Sequence, residues 1–174
     1  MIIGLLLTLA VPADSPTFDP ATGYRIADYH GVVPAPPPGI PRIDDAAAAR
    51  LYDEGKALFL DLTPAAGGHR DGATGAWHLA EPHVTIPGAH WFPEAGRGPP
   101  DPAIDGWFAH GVARLTGRSR RGTIVAFCLA DCWMSWNASW KLRRLGYRDV
   151  RWYANGADGW RDIGRLLAPA TPSR

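Results

Sequence analysis

Thr123-Ile124-Val125-Ala126-Phe127-Cys128-Leu129-Ala130-Asp131-Cys132-Trp133 is the stretch on which the fold turns. Its first five residues are a short apolar, β-branched run after the turn residues Arg118–Gly122, the pattern of a strand covered on both faces. From Trp133 the spacing of apolar residues predicts a helix to Leu145, closed by Gly146 as its C-terminal cap. Strand, short loop and helix follow one another directly, and the two cysteines lie in the junction.

Working outward, other segments repeat that alternation. Asp44-Asp45, an alanine run and Leu51-Tyr52 predict a short helix, and Ala57–Leu62 predicts a buried strand. Ile86–Phe92 reads as a second short strand. Asp101-Pro102 starts a helix, with Asp as N-cap and Pro at the first position, and that helix ends near Thr116-Gly117. Val150–Tyr153 reads as the last strand, Asn155–Gly159 as a tight turn and Trp160–Leu167 as a final helix. Strands alternating with helices give an α/β fold: a mostly parallel sheet with helices on both faces and a site outside the carboxyl ends of the strands. Cys128 falls at that end of the most clearly buried strand.

Composition narrows the rest. The 174 residues suit one domain, and 18 Lys and Arg against 17 Asp and Glu give no electrostatic argument for nucleic acid or an anionic membrane. Residues 1–13 form an apolar run ending in Val11-Pro12-Ala13, shorter than the ~20 residues a bilayer span needs. They read as a signal peptide, so the mature chain is expected to be exported, without a membrane span, and its only two cysteines can pair there. Residues 14–42 are proline-rich and extended, a spacer or a surface wrap. Residues 168–174 form a C-terminal tail.

A thiol between a strand and a helix N-terminus lies near free backbone N–H groups and the positive end of the helix dipole. Both favour thiolate, so Cys128 is expected to fall below the usual cysteine pKa of about 8.5 and, if exposed, to act as nucleophile or metal ligand. Inert core cysteines or a structural disulfide are the plainer readings.

Several motifs together resemble the rhodanese family over residues 43–167. Phe59-Leu60-Asp61, Ile86-Pro87-Gly88-Ala89, the Thr123–Cys128 strand, Leu145-Gly146-Tyr147 and Asn155–Trp160 follow the family's order and spacing. The resemblance implies a single rhodanese-like domain carrying sulfane sulfur as a persulfide on Cys128, within an active-site loop of Leu129, Ala130, Asp131, Cys132 and Trp133. Asp131 beside the thiol is expected to raise its pKa. Phe127–Asn137, Trp152-Tyr153 and Gly159-Trp160 are similar to a narrower group, periplasmic Cys-x-x-x-Cys-Trp proteins associated with PQQ-dependent catabolism. That implies periplasmic location, and partnership with a PQQ-dependent alcohol dehydrogenase system.

Three functions follow. In the first, a sulfurtransferase or thiol–disulfide oxidoreductase, Cys128 attacks and Cys132 resolves, with catalytic roles for both. In the second, Cys128 and Cys132 hold copper or zinc with histidines from His69, His78, His83 or His90, while His30 and His110 have less claim. In the third, Trp133 walls a quinone or partner site, although its helical spacing with Trp136 and Trp140 favours core packing.

Overall fold

The Thr123–Phe127 strand is the centre of the sheet in a computed structural model that describes residues 17–174. The signal-peptide reading of residues 1–13 lies outside the described residues. Five strands form the main sheet: β1 (Arg42–Ile43), β2 (Ala57–Asp61), β6 (His90–Trp91), β7 (Thr123–Phe127) and β8 (Asp149–Tyr153). They run in the order β1-β8-β7-β2-β6, every neighbouring pair parallel.

The alternation inside β7 explains the layers. Ile124 and Ala126 join Leu60, Val150 and Trp152 on one face, packed with α2 (Pro102–Leu115) through Phe108 and Val112 and with α3 (Trp133–Arg144) through Met134, Ala138 and Leu142. Val125 and Phe127 join Phe59 and Tyr153 on the other, against Ala48 of α1 (Asp45–Asp53) and Ala157 and Trp160 of α4 (Gly156–Asp162). Each of the larger side chains contributes about 1.5–3 kcal/mol by leaving water. Burial on both faces is why the strand sequence is apolar throughout.

The helix starts follow local chemistry. Asp44 accepts from the Ala47 N–H (2.8 Å) to cap α1, and Asp101 accepts from Ala103 and Ile104 (3.0 and 3.1 Å) to cap α2. Gly146, at φ +90°, lets the chain leave α3 in a conformation other residues resist.

Two expectations are corrected. Of Ile86–Phe92 only His90 and Trp91 pair with β2. Pro87 has no N–H to donate and Gly88 takes φ +77°, so 86–89 turn back, with Ala89 N–H on the Ile86 carbonyl (2.9 Å). The final helix is α4, which begins at Gly156 inside the expected Asn155–Gly159 turn and stops at Asp162, before Gly164 at φ +80°. Two further sheets were not foreseen: the hairpin β3 (His69–Arg70)/β4 (Trp77–His78), and β5 (His83–Thr85) antiparallel to β9 (Ala168–Ala170). Through β9 and the Ser173 N–H on the Trp91 carbonyl (2.8 Å), the C-terminal tail is built into the fold. No helix among the described residues is long and apolar enough to cross a membrane.

Residues 17–41 lie along the α3 side of the molecule, with Val33 and Ile40 buried in its core. Asn137 of α3, itself fully buried, ties this strap down: it accepts from the Arg25 N–H (2.9 Å) and donates to the carbonyls of Arg25 and Gly96 (2.8 Å each). Asn137→Ala strands those backbone groups, and the expected loss is about 2–3 kcal/mol, read as a lower urea midpoint. A midpoint equal to that of the parent would show that the strap is not anchored there.

Candidate active site

The loop between β7 and α3 is shaped by what lies beneath it. The Cys128 carbonyl accepts the Ala157 N–H (2.8 Å) at the start of α4, and Asp158 accepts the Ala130 N–H (2.9 Å) while also pairing with Arg161. Gly156 sits at φ +57°, and a Cβ there would lie 1.9 Å from the Cys128 carbonyl oxygen, so only glycine admits this approach. Asp131 takes φ +50° at the tip, a turn conformation aspartate tolerates better than most residues. Cys132 occupies the N-cap position of α3 without making a side-chain cap bond.

From the other side the strap closes over the loop. Tyr29 accepts the Trp133 N–H (2.8 Å), Gly31 donates to the Asp131 carbonyl (2.7 Å), and His30 forms an antiparallel bridge with Cys132. Trp133 is enclosed by Phe18, Arg25 and Trp136: the Phe18 and Trp136 rings lie 5.3 and 5.5 Å away, and the Arg25 guanidinium 4.9 Å from the ring centre. Trp133 is therefore packed rather than an open wall. Both thiols end up buried, Cys128 fully and Cys132 with 2% exposed.

The two Sγ atoms are 2.7 Å apart, the Cys128 S–H donating to Cys132. Burial pushes the Cys128 thiol well above its usual pKa, reinforced by its bond to Cys132 and by the negative charge of Asp61. Cys132 moves the opposite way: the Cys128 S–H favours its thiolate and outweighs desolvation, with help from the Met134 and Leu129 N–H groups. The expected low-pKa Cys128 is thus corrected. The helix-start N–H groups were rightly sought, but they serve Cys132, and Cys128 lies on the sheet side where burial dominates.

Asp131, expected to raise the thiol pKa, is exposed at the loop tip. The carboxylate that bears on both sulfurs is Asp61, fully buried at the end of β2 beside Phe127. Its Oδ1 accepts the Thr63 N–H (2.8 Å) and its Oδ2 holds His83 Nε2 (2.7 Å), whose ring stacks on Trp91 at 4.0 Å. Asp61 is a site residue that sequence reasoning assigned only to the strand pattern. Its signal was position at the carboxyl end of a buried strand, but only the β2–β7 adjacency makes it a neighbour of the thiols.

The other histidines go elsewhere. His69 and His78 stack on each other across the hairpin (4.9 Å), His90 lies in β6, and His110 is exposed. Among the described residues no group of three or more His, Cys, Asp or Glu side chains is placed to hold a metal, so no third ligand joins Cys128 and Cys132 in the copper or zinc reading.

No protein-family model matches the chain, and no curated protein does. Solved structures do. A thiosulfate sulfurtransferase from Pseudomonas aeruginosa superposes with a TM-score of 0.51 at 20% identity, over 78% of this chain and 21% of that one. The 3-mercaptopyruvate sulfotransferase SseA from Escherichia coli, described as having the rhodanese fold, gives 0.54 at 19% identity, over 78% of this chain and 52% of its own. The chain spans about a fifth and about half of those two proteins. At this likeness the shared property is the architecture, a single rhodanese-like α/β domain.

In the fully reduced protein, iodoacetamide is expected to modify Cys132 before Cys128, with a rate that rises with pH through a midpoint below that of an ordinary thiol. Cys128→Ala removes the main group holding that midpoint down and should move it up, whereas Asp61→Asn removes a nearby negative charge and should move it lower. Peptide mapping that finds Cys128 alkylated first would refute this assignment. Gly31→Pro deletes the N–H that bonds Asp131 and should speed alkylation; an unchanged rate would mean that the strap does not limit access.

Proposed function

We propose that this domain works as a dithiol–disulfide couple in which Cys132 is the attacking thiol and Cys128 the buried resolving one. The observation that carries the reading is the 2.7 Å approach of the two sulfurs inside a loop held on both sides, with the lowered pKa at Cys132. A disulfide bond of about 2.05 Å lies within a small closing movement of that geometry.

The chemistry balances as ordinary exchange. The Cys132 thiolate attacks a disulfide R–S–S–R′ and expels R′–S⁻, leaving Cys132 bonded to S–R. Cys128 gives up its proton and attacks the Cys132 sulfur, forming the Cys128–Cys132 bond and expelling R–S⁻. The protein dithiol loses two electrons and the external disulfide gains them. Relative to the sequence reading the two cysteines exchange roles, because the attacking sulfur must be the one whose thiolate is favoured, and that is Cys132.

Sulfur transfer is the second reading, and the fold favours it, since solved neighbours include a thiosulfate sulfurtransferase. A cysteine persulfide formed in this loop would be discharged by the other thiol as hydrosulfide, again leaving the disulfide, so both readings converge on the same product. The similarity of the Cys-x-x-x-Cys-Trp stretch to PQQ-associated periplasmic proteins supports work in that compartment beside a PQQ-dependent alcohol dehydrogenase.

Intact mass with and without reductant tests the proposal. Protein purified without reductant is expected to be two hydrogens lighter than reduced protein, and neither Cys128→Ser nor Cys132→Ser should show that difference. Equilibration in glutathione buffers should give a potential above about −270 mV. A potential below about −300 mV would make the bond structural, and two free thiols in protein from an oxidising compartment would sink the couple. A mass gain of one sulfur in Cys128→Ser or Cys132→Ser, where no second thiol can discharge a persulfide, removed by reductant, would move the assignment to sulfur transfer.

A further inference from the structure

The strap meets the thiol loop as one strand meets another. The Tyr29 carbonyl accepts the Trp133 N–H (2.8 Å) and the Gly31 N–H donates to the Asp131 carbonyl (2.7 Å), so two bonds flank the antiparallel pair His30–Cys132. This is the non-hydrogen-bonded kind of antiparallel pair, in which facing Cα atoms approach to about 4.5 Å. A disulfide spans Cα separations of about 4.4–6.8 Å. Position 30 of the strap is therefore a place from which a cysteine sulfur can bond to Cys132.

The contact is made by a short arc between two anchors. On one side Tyr24 is buried, and Asn137 holds the N–H and the carbonyl of Arg25. On the other, Val33 and Ile40 sit in the core. Between them Asp28, His30, Gly31 and Val32 are exposed. Tyr29 adds its hydroxyl, which accepts the Gly98 N–H (3.0 Å), and its ring, with the Arg97 guanidinium 4.9 Å from the centre. An arc with so little burial lifts more readily than the anchors on either side of it.

Lifting the arc uncovers Cys132, but it also leaves the Trp133 N–H and the Asp131 carbonyl without their partners. Backbone groups in a site of this kind are costly to leave unpaired. An extended polypeptide laid in place of the arc pairs both again. A small disulfide with no peptide groups repairs neither.

We infer that the edge Asp131–Trp133 is a docking site for an extended segment of a partner polypeptide, with the partner's disulfide-bonded cysteine at the position His30 now holds. Backbone pairing of this kind accepts an extended chain and sets each of its residues in fixed register. This docking site presupposes Cys132 as the attacking thiol. The Cys132 thiolate bonds to the partner cysteine and expels the other sulfur of that disulfide as thiolate; Cys128 then displaces the partner cysteine. The strap is a built-in competitor that holds the edge until a partner takes it.

Two measurements on the full chain test it. In Cys128→Ser, whose one remaining thiol is Cys132, His30→Cys is expected to give a disulfide between position 30 and Cys132 on oxidation with diamide, read as a loss of two hydrogens. Val32→Cys in the same background should keep both thiols free. The second probe is a peptide of residues 26–34 with cysteine replacing His30, presented as its mixed disulfide with 2-nitro-5-thiobenzoate. It is expected to react with Cys132 of Cys128→Ser about tenfold or more faster than the same mixed disulfide of 2-mercaptoethanol, the worth of one to two net hydrogen bonds. Both probes must displace the arc, so that cost cancels in the ratio. N-methylation of the peptide's Gly31 removes one of the two bonds and should abolish most of the gain. No disulfide at position 30 would overturn the register. Equal rates for the two probes, or a gain that survives N-methylation, would overturn the docking site while leaving Cys132 as the attacking thiol. No reaction with either probe would remove that role and the docking site with it.

Discussion

The structure around the thiols depends on two backbone hydrogen bonds at opposite ends of one short loop. The Ala157 N–H holds the Cys128 carbonyl from below, and the Tyr29 carbonyl takes the Trp133 N–H from above. The first N–H groups of a helix have no partner within it, and a free set of them is a ready seat for an anion. Here the strap occupies one of them and adds a backbone bridge to Cys132, so the loop is both fixed and covered. Gly156 is indispensable to the lower bond, because any Cβ at that position would displace the Cys128 carbonyl.

Covering the loop decides the electrostatics. In an exposed loop, helix-start N–H groups would lower the pKa of whichever thiol they face. Under the strap, desolvation acts on both sulfurs, and hydrogen bonding determines which one it overcomes. Cys128 donates, and burial, its bond to Cys132, the charge on Cys132 and that on Asp61 all act to keep its proton in place. Cys132 accepts that S–H and faces the Met134 N–H, so its thiolate is favoured despite burial. The two thiols are therefore unequal, which is what sequential attack and resolution require. Asp61, bonded to His83, stands behind them and is held in place by β2 and β5.

Much of the architecture was legible because it rests on local rules. β2, β7 and α3 announce themselves by apolar runs and periodicity, and α2 by Asp101-Pro102. The errors fell where backbone chemistry or long-range contact prevailed. Pro87-Gly88 cuts β6 short, and a bond from Ala157 to the distant Cys128 carbonyl converts an apparent glycine turn into the first turn of α4. Strands β5 and β9 are separated by more than eighty residues, and neither has a pattern strong enough to declare itself alone.

Sequence by itself determined the α/β class, the parallel order of strand and helix, and the placing of Cys128 and Cys132 at a strand–helix junction, because hydrophobic period and capping residues act within a few positions. Tertiary structure alone decided which thiol has its thiolate favoured, that Asp61 and not Asp131 opposes it, and that Tyr29–Gly31 lies across the loop. Each of those depends on desolvation or on a charge arriving from another strand or segment. Burial and the local field are properties of the packed neighbourhood, and no short stretch of chain contains them.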